Sequence, residues 1–222
     1  KARGTQSTKT AKQSDDIYVE DVINCSLKSH LGCITNFGRV FKVRGFDFNT
    51  KFYHISNVLN LQDKEKIVNI TNLDEIGEDK EILFITKNGY GSKSNIDFFN
   101  NATKNRAIIG IKLNEGDEVL SFNLVNKTDT IVLVTSLGRA LRFPVSEVKI
   151  TKSASKGVFV YRGKENDVIK STLIVGESDQ EKDVVVAFEY GGIKKFNISK
   201  LLLINEIPMT VKDNSFFPKL LF

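Results

Sequence analysis

Residues 131–143, I-V-L-V-T-S-L-G-R-A-L-R-F, constrain this chain more than any other stretch. A β-branched run ends at Thr135, a turn carries Gly138, and a second run returns with Arg139 and Arg142 among apolar residues. β-Formers flanking a glycine where the backbone must reverse predict a β-hairpin. The pattern recurs at 31–43 (L-G-C-I-T-N-F-G-R-V-F-K-V), 82–93 (I-L-F-I-T-K-N-G-Y-G-S-K) and 184–196 (V-V-V-A-F-E-Y-G-G-I-K-K-F). Its turn glycines are Gly38, Gly89, Gly138 and Gly191, at steps of 51, 49 and 53 residues. Strands repeating at that period predict propeller blades rather than a sandwich.

A second unit recurs between the hairpins. Lys156-Gly157-Val158-Phe159 leads to Asp167-Val168-Ile169, and Ala107-Ile108-Ile109-Gly110-Ile111 leads to Gly116-Asp117-Glu118-Val119-Leu120. Residues 56–61 lead likewise to 64–68. Each reads as a short apolar strand, an acidic turn and another strand, so two hairpins per repeat make a four-stranded blade. The expected fold is all-β: a propeller-like array of about four to five blades in one domain over 1–222. The repeats fall near 27–76, 77–126, 127–178 and 179–222. Residues 1–26 fit either a polar arm or a partial blade, in which Arg3-Gly4 is the counterpart of Lys156-Gly157.

The chain begins at Lys1 rather than methionine and reads as a piece of a longer protein. No apolar run approaches the roughly 18 residues of a membrane span, and 1–16 is too polar for a signal peptide. Cys25 and Cys33 fit no zinc template; both are expected to be buried reduced thiols, which suits a cytoplasmic protein, with a cross-strand disulfide as the alternative.

A net charge of +5 is weak evidence of a polyanionic partner, but its placement is more informative. The strand after each turn glycine is basic. Arg39, Lys42 and Arg44 mark the first; Lys93 marks the second, followed by Lys104 and Arg106. Arg139 and Arg142 mark the third, followed by Lys149, Lys152 and Lys156, and Lys194 and Lys195 mark the fourth. Acid gathers in the other hairpins: Asp63 and Glu65, Glu115, Asp117 and Glu118, Glu165 and Asp167. If all repeats are built alike, the basic residues form one belt, with Arg3 near its start, and the acidic turns occupy another zone. Such a belt can neutralise successive phosphates of a bent duplex. The competing reading is that these charges merely line the solvent side of strands and discourage edge pairing.

Catalytic chemistry is hard to find. His30 and His54 stand alone beside strands and read as structural, and no Walker loop, paired-His site or Ser/His/Asp set is present. The trio Glu115, Asp117 and Glu118 reads as solvated turn acid rather than a divalent-cation site. Phe46, Phe48 and Phe52, around Arg44 and Lys51, fit either core packing or a base-stacking platform. The expectation is a non-enzyme with no metal and no cofactor.

The recurrent units I-T-N-F-G-R (34–39), I-T-K-N-G-Y-G (85–91) and V-T-S-L-G-R-A-L-R-F (134–143) resemble the C-terminal domain of bacterial type IIA topoisomerase A subunits. The connecting units at 109–119 and 155–160 share the likeness. The resemblance implies a β-pinwheel whose blades exchange strands with their neighbours. It also implies a basic outer rim that bends or wraps double-stranded DNA and presents it to a separate strand-passage part, working at the nucleoid with an ATPase subunit. Gyrase subunits of this family carry a box close to Q-R-R-G-G-K-G; K-A-R-G-T-Q-S at 1–7 is a degenerate counterpart. That departure and the few repeats favour topoisomerase IV over gyrase. A propeller serving as a protein-interaction scaffold is the alternative; it predicts an exposed apolar face and a neutral rim.

Overall fold

The computed structural model describes residues 22–48, 54–77, 79–151, 154–163, 167–187 and 191–201. The four expected hairpins are present. They are β1 (His30–Thr35) with β2 (Arg39–Arg44), β4 (Glu81–Thr86) with β5 (Tyr90–Asn95), β8 (Thr130–Thr135) with β9 (Ala140–Pro144), and β12 (Asp183–Ala187) with β13 (Ile193–Asn197). The remaining strands are β3 (Ile67–Asn72), β6 (Ile108–Ile109), β7 (Val119–Val125), β10 (Val158–Phe159) and β11 (Ile169–Val175). They form sheets ordered β3-β1-β2-β6, β10-β5-β4-β7, β11-β8-β9 and β12-β13, every strand pair antiparallel.

In the first three turns a threonine and a glycine have distinct jobs. Gly38, Gly89 and Gly138 take φ of +72°, +92° and +75° and donate their N–H to the carbonyl of Thr35, Thr86 and Thr135. The same threonines' Oγ1 accepts from the N–H of Arg39, Tyr90 and Arg139 at 3.0–3.2 Å. A left-handed position closing a tight hairpin is glycine's natural place.

The second recurrent unit is not a local hairpin. β6 leaves its own repeat and pairs with β2 of the preceding one, Arg39 opposite Ile109. β10 does the same with β5, Tyr90 opposite Phe159. The turn glycine admits this exchanged strand: a Cβ on Gly89 would stand 2.0 Å from the Tyr161 carbonyl oxygen, and one on Gly38 would stand 2.5 Å from that of Ile111. The blades therefore exchange strands, as the resemblance implied. Residues 56–61 depart from expectation: Ile55–Asn57 is a 3-10 turn, its N–H at Ser56 accepted by the His54 ring.

Successive sheets pack face to face, which explains the continuous apolar runs. In β4, Ile82 and Phe84 pack with Ile34 and Val40 of the preceding sheet, while Leu83 and Ile85 pack with Ile131 and Leu133 of the next. Alternate residues of one strand thus fill two cores, and all of β4 is buried. Val132 faces onward toward Val184, Phe196 and Ile198.

Cys33 is buried, and burial pushes its thiol up to about 12; Cys25 is exposed, contrary to expectation. Both are free thiols. No helix of the described residues is long and apolar enough to cross a membrane.

Candidate nucleic-acid interface

The basic residues expected to share one belt occupy three kinds of position, set by their distance from the turn glycine. The first position after the glycine is Arg39, Tyr90 or Arg139. Arg39 Nη1 lies 2.6 Å from Oε2 of Glu65, whose side chain is wholly buried. Glu65 also accepts from Thr35 Oγ1 at 2.6 Å and Gln62 N at 2.8 Å. Arg139 lies 3.7 Å from the buried carboxylate of Asp167, which accepts from Ser136 Oγ, Leu137 N and the Tyr161 hydroxyl. Burial raises the Asp167 carboxyl, but these hydrogen bonds outweigh it and hold the group below its ordinary value. Burial and the facing carboxylate push the Tyr161 phenol up to about 12.

Arg39 with Glu65 and Arg139 with Asp167 are therefore partners rather than occupants of separate zones. Glu65, Asp117 and Asp167 recur at steps of 52 and 50 residues, each seated against a T-x-x-G turn. In the middle repeat Tyr90 replaces arginine. Asp117 accepts from Asn88 N and Glu118 N through Oδ1, and its buried Oδ2 has no hydrogen-bond partner among the described residues. The trio containing Asp117 is split, with Glu115 and Glu118 exposed, and no metal-binding cluster occurs among the described residues.

The fourth position after each glycine is Lys42, Lys93, Arg142 or Lys195, basic in all four copies. Lys93 is only 4% exposed, its Nζ 2.8 Å from Glu81 Oε2 at the start of β4. It cannot reach a ligand outside the sheets, because β5 is enclosed on both faces. Lys195 makes the same diagonal pair with Asp183, at the start of β12, in an exposed setting. Arg142 donates to Leu201 O, Ser199 O and Gln180 Oε1, tying the third sheet to the fourth. Lys42 is half-buried.

The third group lies beyond the hairpin. Arg44 ends β2 and is exposed, as is Lys194 in β13. Lys104 and Arg106 lie on the segment leading to β6, and Lys149 and Lys156 on the segment leading to β10; all four are exposed. These crossovers run over the preceding sheet: Lys104 Nζ meets Asp47 Oδ1 at 2.7 Å, and Ile150 bridges Lys93 while Thr151 N donates to Lys93 O. Arg106, Lys149 and Lys156 have no ion pair among the described residues. Arg3 and Lys152 lie outside the described residues.

Sequence reasoning missed Lys112 and Arg162, exposed cations just after the exchanged strands, Arg162 5.4 Å above the Phe159 ring. Their spacing of 50 residues was a readable signal.

The model of the DNA gyrase C-terminal domain, a β-propeller, matches residues 80–126 and 129–175, two consecutive repeats. The chain is 32% identical to the A subunit of Thermotoga maritima DNA gyrase over 85% of its own length and 24% of that protein. It is 28% identical to the corresponding gyrase protein of Borreliella burgdorferi over 84% of its length and 23% of that protein. The crystal structure of a topoisomerase IV C-terminal domain superposes with a TM-score of 0.73 at 25% identity, covering 81% of this chain and 57% of that one. The chain belongs to the C-terminal-domain family of bacterial type IIA topoisomerase A subunits. It spans about a quarter of the length of the curated relatives it matches. The family's model is that of a β-propeller, and the exchanged strands β6 and β10 make this chain's version of it a β-pinwheel.

Proposed function

We propose that this domain binds double-stranded DNA largely irrespective of sequence and bends it, as a non-catalytic module of a type IIA topoisomerase at the bacterial nucleoid. The observation that carries the reading is the recurrence of exposed cations on consecutive crossovers: Lys104 and Arg106 on one, Lys149 and Lys156 on the next. Cations on successive sheets that pack face to face offer a duplex regularly spaced phosphate contacts, and such contacts position DNA without reading bases. Arg44 and Lys194 extend the set, whereas Arg39, Lys93 and Arg142 serve the fold. In the full enzyme the domain works with the ATPase subunit and presents a DNA segment to the strand-passage part of its own polypeptide.

Bending without chiral wrapping, the topoisomerase IV mode, is favoured over gyrase-like supercoiling by the degenerate box at 1–7. Ligation of nicked circular DNA with increasing protein tests this. Tight binding to two unrelated duplexes with unchanged linking number is the expected outcome. A shifted linking number assigns the gyrase mode instead, and absence of duplex binding at low salt overturns the proposal.

A further inference from the structure

We propose that Phe46 is an apolar wedge that inserts at a flexible base-pair step and fixes where the duplex kinks; this rests on the DNA-binding reading above. The eighth residue after each turn glycine is the middle or second residue of a 3-10 turn: Phe46 in Gly45–Asp47, Asp97 in Ile96–Asn101, Ser146 in Val145–Glu147 and Ser199 in Ile198–Lys200. Three copies are polar, as an outward position should be. The first copy carries phenylalanine, and it is 59% exposed.

The core does not require this ring. The residue before it anchors each turn: Val145 and Ile198 are buried there, and Gly45 is buried against the backbone of Ser26. Phe46 N donates to Leu27 O at 2.8 Å, and Leu27 is itself 71% exposed, so two large apolar residues stand at one end of the β1–β2 pair.

Their surroundings match a polyanion rather than an apolar protein face. The Arg44 guanidinium lies 5.9 Å from the Phe46 ring centroid, and Lys28 and Lys104 are exposed on the flanking segments. The acid of this turn, Asp47, is held by Lys104 and by the N–H of Arg44. Its charge is thereby offset within the protein. An exposed aromatic flanked by cations is the arrangement with which proteins part a base step and clamp the phosphates on either side. Pyrimidine–purine steps unstack most easily, so the wedge favours TA steps while the phosphate contacts stay indifferent to sequence.

The test uses the whole chain and a duplex containing one TA step with 2-aminopurine beside it, dye-labelled at both ends. Wild type is expected to raise 2-aminopurine fluorescence and shorten the end-to-end distance. Phe46→Ser, the residue found in two other repeats, loses the fluorescence rise and lowers affinity by about five- to 150-fold, the range of one base–aromatic stacking contact. Phe46→Leu retains much of the response. Equal fluorescence and bending for wild type and Phe46→Ser at saturation overturn the wedge while leaving DNA binding intact. Failure of wild type to bind the duplex overturns both.

Discussion

Arg39 and Glu65, 26 residues apart, meet at 2.6 Å beneath the turn that joins β1 to β2. The carboxylate also receives Thr35 Oγ1, so one buried acid ties turn, returning strand and following strand together. Glu65→Ala leaves Arg39, whose side chain is 16% exposed, without its counter-charge. Removing one partner of such a pair costs about 3–5 kcal/mol. Denaturant titration should show that loss as a lower midpoint. DNA affinity measured on the folded fraction should not fall.

The same site in the middle repeat behaves differently because Asp117 Oδ2 has no hydrogen-bond partner among the described residues. An unmet buried polar atom costs about 1–3 kcal/mol, so Asp117→Asn should destabilise by under about 1 kcal/mol. Asp167→Asn should cost more, about 2–4 kcal/mol, since its NH2 would oppose either the Tyr161 hydroxyl on one side or the Ser136 and Leu137 donors on the other. Equal effects in paired unfolding curves would contradict the assignment of the turn acids.

Stability should fall at both pH extremes for separate reasons. Asp167 has a lowered folded pKa, so its contribution is complete above the ordinary carboxylate value and is lost as pH drops below about 4. Tyr161 is raised from 10.0 to about 12, so its contribution is complete below pH 10.0 and is lost as pH climbs toward about 12. Thermal melting across pH should flatten on the alkaline side in Tyr161→Phe and on the acid side in Asp167→Asn.

Lys93 separates the cations that serve the fold from those proposed to face DNA. Its contact with Glu81 is ionic rather than a directed hydrogen bond, since Glu81 Oε2 makes none while Lys93 Nζ also reaches Val145 O at 3.4 Å. Lys93→Met strands Glu81 and should cost about 3 kcal/mol or more, whereas Lys93→Met with Glu81→Leu should recover most of that. Neither variant should weaken DNA binding in a gel-shift titration.

The hairpins were legible because a threonine, a left-handed glycine and two β-runs are all local requirements. Strand exchange was legible only through the family resemblance: the two residues Ile108 and Ile109 predict a strand but carry nothing about which edge they join. Residues 56–61 misled because their apolar residues fill a 3-10 turn and the core beside it. The charge belt misled for a different reason. Recurrence in register correctly placed Lys42, Lys93, Arg142 and Lys195 at one structural position, but there Lys93 and Lys195 meet the chain's own carboxylates and Arg142 meets its carbonyls. Sequence shows the period of a charge and not the distant acid that meets it. Phe46 went unresolved because a 3-10 turn has no face that hydropathy alone assigns.

The decisive measurement is duplex-DNA affinity against salt for wild type and for Lys104→Gln/Arg106→Gln/Lys149→Gln/Lys156→Gln together. Each lost phosphate contact should reduce the log–log slope by about 0.9, so the quadruple variant should lose about 3.6 in slope and bind all sequences more weakly. A folded quadruple variant with the slope and affinity of wild type would contradict the crossover cations as the DNA-binding surface.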